Sequence, residues 1–233
     1  MAIIRGKSIV ADGLVLHTDA ANKKSYPGSG TIINDLSGNE RNGELINGAS
    51  LDTANAGTIT FDGTNDRIVL NDTLDIAFTT QYWTTDIWFN LDSTYASYDA
   101  MLGNGYPFQL YAVGGKIQAY LSSTAGSGTY FLSGMTSTQT LSTETWYHLS
   151  FVRDGTNYYY YINGALDKSA TSNTNVCAAA NQNAQIGNLW DVNNSFVWDG
   201  EIANVKIYNR ALSAAESLQN YNATKSRFSL WVV

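Results

Sequence analysis

The feature that most constrains this chain is the recurrence of short turn pairs between runs rich in Tyr, Trp, Ile, Val and Thr. The pairs fall at Asn47-Gly48, Asp62-Gly63, Gly114-Gly115, Asp154-Gly155, Asn163-Gly164 and Asp199-Gly200. Asn-Gly and Asp-Gly accept the positive φ angles that tight hairpins need. Short strands spaced by such turns specify a sandwich or barrel.

Three segments show the pattern best. In Tyr82–Asp92, the residues Trp83, Ile87, Phe89 and Leu91 fall on one face, with Asp86, Trp88 and Asn90 on the other. Phe108–Val113 and Lys116–Leu121 bracket Gly114-Gly115 as a hairpin. Tyr147–Arg153, Tyr158–Ile162 and Ala165–Ser169 read as a meander turning at DGTN and at Asn163-Gly164. One helix is signalled, by the capping box Ser213-x-x-Glu216 behind a strand over Val205–Tyr208. At 233 residues, with neither an internal repeat nor a linker, the economical reading is one large all-β domain over residues 14–222. An N-terminal arm over 1–13 and an apolar tail over 223–233 flank it.

Composition narrows the function. Charged residues make up only 14%, so Asn, Thr, Ser and Gly must cover the surface around a 44% apolar chain. A net charge of −7 with scattered Lys and Arg argues against nucleic acid, whose phosphates need clustered cations. No apolar run approaches the ~20 residues of a membrane-spanning helix. MAIIRGKSIVADG lacks a signal-peptide core, so synthesis in a host cytoplasm is expected. The lone Cys177 excludes an internal disulfide and reads as a small buried residue.

The FDGTND of Phe61–Asp66, YWTTDIWFNLDS, ETWYHLSFVRDGTNYYYYINGALDKS and the QIGN of Gln185–Asn188 occur in this order. Together they resemble the laminin-G-like, concanavalin-A-like jelly roll, over roughly Leu14 to Glu216. The resemblance implies two stacked antiparallel sheets of the lectin/glucanase type, with rim loops open to ligands. The ends, GLVLHTDAANKKSYPGSGTIINDLSGNERNGEL, IYNRALSAAE and QNYNATKSRF, are similar to single-domain members found in tailed-phage virions. That narrower resemblance implies a decorating protein on the virion surface, foremost on the head. Its partners are then capsid or tail subunits, in many copies or as a homo-oligomer.

Catalysis is not expected. The glucanase relatives use Glu-x-Asp-x-x-Glu, and none of Glu40, Glu44, Glu144, Glu201 and Glu216 sits in that pattern. His148, beside Trp146 and Tyr147 in a strand, reads as structural, and no nucleophile elbow or phosphate loop is present. No cofactor is expected. The resemblance implies a structural Ca²⁺ near the rim, for which Asp19, Asp62, Asp66 and Asp199 are candidates. Relatives often carry paired acids where this chain has Ala203-Asn204, which weakens that case.

Glycan binding centres on LWDVNNSFVWDG, where Trp190, Asp191, Asn193, Asn194 and Trp198 share one loop. Sugar sites combine such aromatic platforms with hydrogen-bonding Asn and Asp. The packing alternative puts Trp198 beneath the loop and Trp190 against a sheet edge. With host or environmental glycans as partners, the chain would be an adhesin module of a tail fibre or a secreted protein. Assembly candidates are Tyr159 and Tyr161, on one face of a four-tyrosine strand, and Phe228, Leu230 and Trp231 in the last six residues, 228–233, which carry no charged side chain.

Overall fold

The computed structural model describes residues 8–53, 57–92, 98–126, 128–189 and 196–228. Among these residues, sixteen strands form two antiparallel sheets with a shared core. In chain order the strands are β1 (Leu14–Asp19), β2 (Ile32–Ile33), β3 (Gly43–Ile46), β4 (Ser50–Asp52), β5 (Thr58–Asp62) and β6 (Arg67–Leu70). After helix α1 (Asp75–Phe78) come β7 (Tyr82–Leu91), β8 (Asp99–Gly103), β9 (Phe108–Val113), β10 (Lys116–Ser122) and β11 (Tyr130–Thr136). The chain continues with β12 (Tyr147–Asp154), β13 (Asn157–Ile162), β14 (Ala165–Thr171), β15 (Gln185–Ile186) and β16 (Asp199–Tyr208), then helix α2 (Ala214–Thr224).

The first sheet runs β14-β13-β12-β7-β16-β5-β4, with β1 also paired to β16. The second runs β11-β10-β9-β8-β15-β6-β3-β2. The expected hairpin and meander are present, turning at Gly114-Gly115 and Asn163-Gly164. Alternation places Trp83, Ile87, Phe89 and Leu91 of β7 in the core, as the pattern requires. There Trp83 meets Phe78, Phe108 and Phe151 at ring-centroid distances of 5.4, 5.5 and 4.9 Å. Tyr158 and Tyr160 fill the same core, and Cys177 is buried beside it.

Asp199-Gly200 is not a turn. Both residues open β16, and Gly200 (φ +134°) passes so close to β7 that a Cβ there would lie 2.3 Å from the Asn90 carbonyl oxygen. The glycine is required by the approach of two backbones, the other reason a strand carries one.

The capping box forms as expected. Ser213 Oγ accepts the Glu216 amide, and the Glu216 carboxylate accepts the Ser213 amide. Helix α2 lies over the outer face of the first sheet, so the polar residues on that face are also buried.

A tyrosine-lined sheet face as candidate functional site

On the second sheet, the core-facing residues of β9 and β10 alternate with an outward set. Phe108, Leu110, Ile117 and Ala119 point to the core, while Gln109, Tyr111, Gln118 and Tyr120 point away. Register sets Tyr111 opposite Gln118 and Tyr120 opposite Gln109. Tyr130 of β11 and Tyr98, just before β8, complete the surface: Tyr98 lies 5.2 Å from Tyr111, and Tyr130 lies 5.1 Å from Tyr120. These pairs meet edge to face, the arrangement favoured by ring quadrupoles.

The glutamines organise the hydroxyls. Tyr111 and Tyr130 both donate to Gln109 Oε1, at 2.9 and 3.3 Å. Tyr120 donates to Gln118 Oε1 at 3.1 Å, and its hydroxyl lies 3.5 Å from that of Tyr98. Tyr111 and Gln109 form a buried floor, whereas Tyr98 is 39% exposed. Burial pushes Tyr111 above the ordinary tyrosine range, with its tyrosine neighbours adding to the effect. Burial, then hydrogen bonding to Tyr98, pushes Tyr120 up to about 12. The hydroxyls of Tyr111, Tyr120 and Tyr130 therefore stay protonated at neutral pH. The surface offers aromatic planes and neutral hydrogen-bonding groups, which suits an uncharged, hydroxyl-rich ring.

Trp190, Asp191, Asn193 and Asn194 lie outside the described residues. The residues on either side of that stretch meet the tyrosine face. Leu189 packs with Ala100 and Tyr111, and Phe196 stands 5.9 Å from Tyr111 and 6.3 Å from Tyr98. Trp198 is fully buried, 5.7 Å from Phe89 in the core, and so is a packing residue with no face for a sugar.

Beneath α2, around Asp86, the outer face of the first sheet is closed by contrast. Asp86 has no exposed surface and lies 3.0 Å from His148 Nε2 and 2.9 Å from Lys206 Nζ. Ser150 Oγ and Asn220 Nδ2 donate to its other oxygen, at 2.9 and 3.1 Å. Burial alone raises the Asp86 carboxyl, but the charges and hydrogen bonds of His148 and Lys206 outweigh it and hold the group far below the usual carboxylate range. Asn204 Oδ1 accepts from Lys206 at 2.7 Å, so the position where relatives carry an acid belongs to this network. His148 is thus structural, with no surface that a substrate could reach.

Of the acidic candidates, Asp62, Asp66 and Asp199 are neighbours, and Asp19 is engaged elsewhere by Arg227. Asp19 accepts Arg227 Nη1 at 2.9 and 3.0 Å, Asp62 accepts the Thr64 amide, and Asp66 accepts the Asp62 amide. Asp199 pairs with Asp62 across β16 and β5. Among the described residues, no group of three or more His, Cys, Asp or Glu could hold a metal ion. Of the assembly candidates, Leu230 and Trp231 lie outside the described residues. Tyr159 and Tyr161 point away from the core, Tyr161 retaining 8% exposure, and Phe228 stacks 4.1 Å from Trp88.

A family model described as the concanavalin A-like lectin/glucanases superfamily, of laminin G type, matches residues 62–216. The chain belongs to that family. No curated protein matches it. Among solved structures, the botulinum neurotoxin serotype D binding domain is similar at a TM-score of 0.70 and 15% identity. The match covers 92% of this chain and 53% of that one, so the chain spans about half the neurotoxin domain. Domain 4 of an extracellular arabinanase from Geobacillus stearothermophilus, in complex with arabinotriose, is similar at a TM-score of 0.63 and 19% identity, covering 89% of this chain and 98% of that one. Trypanosoma rangeli sialidase in complex with sialic acid gives 0.67 and 12%, covering 93% and 34%. At these identities the likeness is one of fold.

Proposed function

We propose that the chain is a non-enzymatic binding module that receives carbohydrate on the tyrosine face of β8–β11. The observation that carries the reading is the face itself: neutral tyrosines at three exposures, ordered by two glutamines, beside the loop that the sequence nominates for glycans. A ring stacked on one tyrosine gains on the order of 1 kcal/mol beyond area burial. Single-site binding is therefore weak, and many copies would supply avidity. Membership of a lectin/glucanase superfamily supports the reading, and the arabinotriose complex of a fold neighbour suggests a first probe.

The setting we propose is the surface of a tailed-phage virion, foremost the head, with many copies bound to capsid or tail subunits. The similarity of both terminal stretches to virion proteins supports it. The net charge of −7 also suits a crowded particle whose subunits must repel neighbouring particles.

Two experiments test these readings. Retention on a glycan array should fall at least about tenfold in Tyr120→Ala and Tyr98→Ala, a loss of roughly 1.4 kcal/mol. Unchanged retention in both variants removes the tyrosine face. Trp190→Ala tests the loop in the same assay. Mass spectrometry of purified particles should find the chain at high copy number, and recovery only as free protein sinks the virion setting.

A further inference from the structure

A separate cavity of about 380 Å³ opens on the opposite side of the sandwich, where the C-terminal end of α2 meets the first sheet. Trp88, Trp146, Asn163, Tyr221, Lys225, Ser226 and Phe228 line it. Trp88 is the buried support, held between Tyr221 at 5.6 Å and Phe228 at 4.1 Å with near-parallel rings. Its Nε1 donates to Thr224 Oγ1 at 2.7 Å, which fixes the ring against α2. Trp146 leans on Phe228 at 4.7 Å. The half-buried Trp146 and Tyr221 thus present aromatic surface on a rigid backing.

The polar side chains around these rings are Asn163, Lys225 and the hydroxyls of Tyr221 and Ser226, all able to donate and none of them acidic. Asn163 Oδ1 is occupied by the His148 amide at 2.9 Å, leaving Nδ2 to offer. Lys225 Nζ stands 5.3 Å from the Tyr221 ring centroid and is exposed. Among the described residues, no carboxylate pairs with Lys225, and neither Asn163 Nδ2 nor the Tyr221 hydroxyl has a hydrogen-bond partner. Among the described residues, no Asp or Glu is part of the lining.

We infer that this cavity is a second binding site, for a carboxylate-bearing sugar residue of the uronic-acid kind. Aromatic walls take the C–H face of a ring. Neutral hydroxyls need donors and acceptors in similar number, whereas an ammonium and an amide without an acid select an acceptor-rich, anionic group. In a chain of net charge −7, general attraction cannot draw an anion to this place, so the local cation must do it. The ring lies against Trp146 and Tyr221, and the carboxylate faces Lys225 and Asn163. The inference rests on observations separate from the tyrosine face, and the two sites occupy the outer faces of different sheets.

The test is an NMR titration of the full chain at low salt with tetragalacturonate, and with the neutral galactose tetramer as control. The indole N–H signals of Trp146 and Trp88 are the reporters, with Trp88 alone read in Trp146→Ala. The acidic tetramer should give a saturable shift and bind about tenfold more tightly than the neutral one. Lys225→Gln should erase that preference, Trp146→Ala should remove saturable binding, and Tyr120→Ala should change neither. Absence of saturation at millimolar ligand, or equal response to both tetramers, overturns the inference. So does loss of binding in Tyr120→Ala alone, which assigns the ligand to the tyrosine face. Binding that appears only when residues 229–233 are deleted also overturns it, because the chain's own apolar segment then fills the cavity. Should Trp146→Ala not fold, Lys225→Gln, altered at an exposed side chain, decides the outcome.

Discussion

At the scale of single residues, Asp86 is the most consequential position in the chain. It neutralises Lys206 and orients His148 at full burial, so its removal leaves a cation in a site with no exposed surface. Breaking a buried ion pair by deleting one partner costs about 3–5 kcal/mol. Asp86→Ala should lower the unfolding free energy from denaturant titration by that amount at neutral pH, while a loss under about 1 kcal/mol would show that the pair is dispensable. His17 gives a second, pH-dependent prediction. Burial, and then the charge of Lys206, bring its pKa from 6.5 to about 4, with Asp19, Asp86 and Asp35 pulling the other way. Between those values the unfolded chain binds more protons than the folded one, so stability rises with pH. The contribution is complete above pH 6.5 and is lost as pH falls through about 4, and the gap corresponds to about 3 kcal/mol. Denaturant midpoints measured across this window should slope for the native chain and flatten in His17→Gln. Equal slopes would mean that His17 does not report the burial seen here.

At the scale of elements, α2 is a cover whose buried polar anchor to the sheet is Asn220. Asn220 accepts the Val10 amide at 2.8 Å and donates to Asp86 at 3.1 Å and to Tyr208 at 3.0 Å. Asn220→Leu leaves the Val10 amide unpaired and takes one partner each from Asp86 and Tyr208, but disturbs no core strand. Hydrogen exchange should then accelerate in α2 and at Val10 while β7 and β12 keep their protection; uniform acceleration would show that cover and core unfold together. The cap of this helix was legible in Ser213 and Glu216, because a capping box is a local signal. Its destination was not, because Asp86, His148, Ser150 and Lys206 alternate with core residues just as a solvent face does. Period-2 patterning separates two faces but cannot say whether the polar one is covered. The tyrosine face was hidden for a related reason. Tyr111 and Tyr120 sit in a hairpin the sequence marks clearly, but their meeting with Tyr98 and Tyr130 depends on β8 and β11, whose register no local signal fixes. Asp199-Gly200 shows the reverse error, a turn dipeptide used within a strand for close approach.

At the scale of the whole molecule, β16 holds the first sheet together. It pairs with β7 along one edge, and along the other with β5 near its start and β1 near its end. The Leu14–Tyr208 pairing joins residues near opposite ends of the sequence, so closure of this sheet waits for nearly the whole chain. Loop-closure entropy must be met before such contacts stabilise anything, which slows sandwiches to the millisecond-to-second range. A chain ending at Val197 lacks β16 and α2, leaving β7-β12-β13-β14 and β4-β5 as separate pieces with β1 unpaired. The hairpins β9–β10 and β12–β13 remain possible in that fragment, but their core-facing residues lose Ile202, Val205 and Ile207. The fragment should show no cooperative unfolding by near-ultraviolet circular dichroism and no retention on the glycan array, even though every tyrosine of the proposed face is present. Cooperative unfolding with retained binding would instead make the second sheet an independent unit, and the proposed ligand face would then owe nothing to the strand that closes the sandwich.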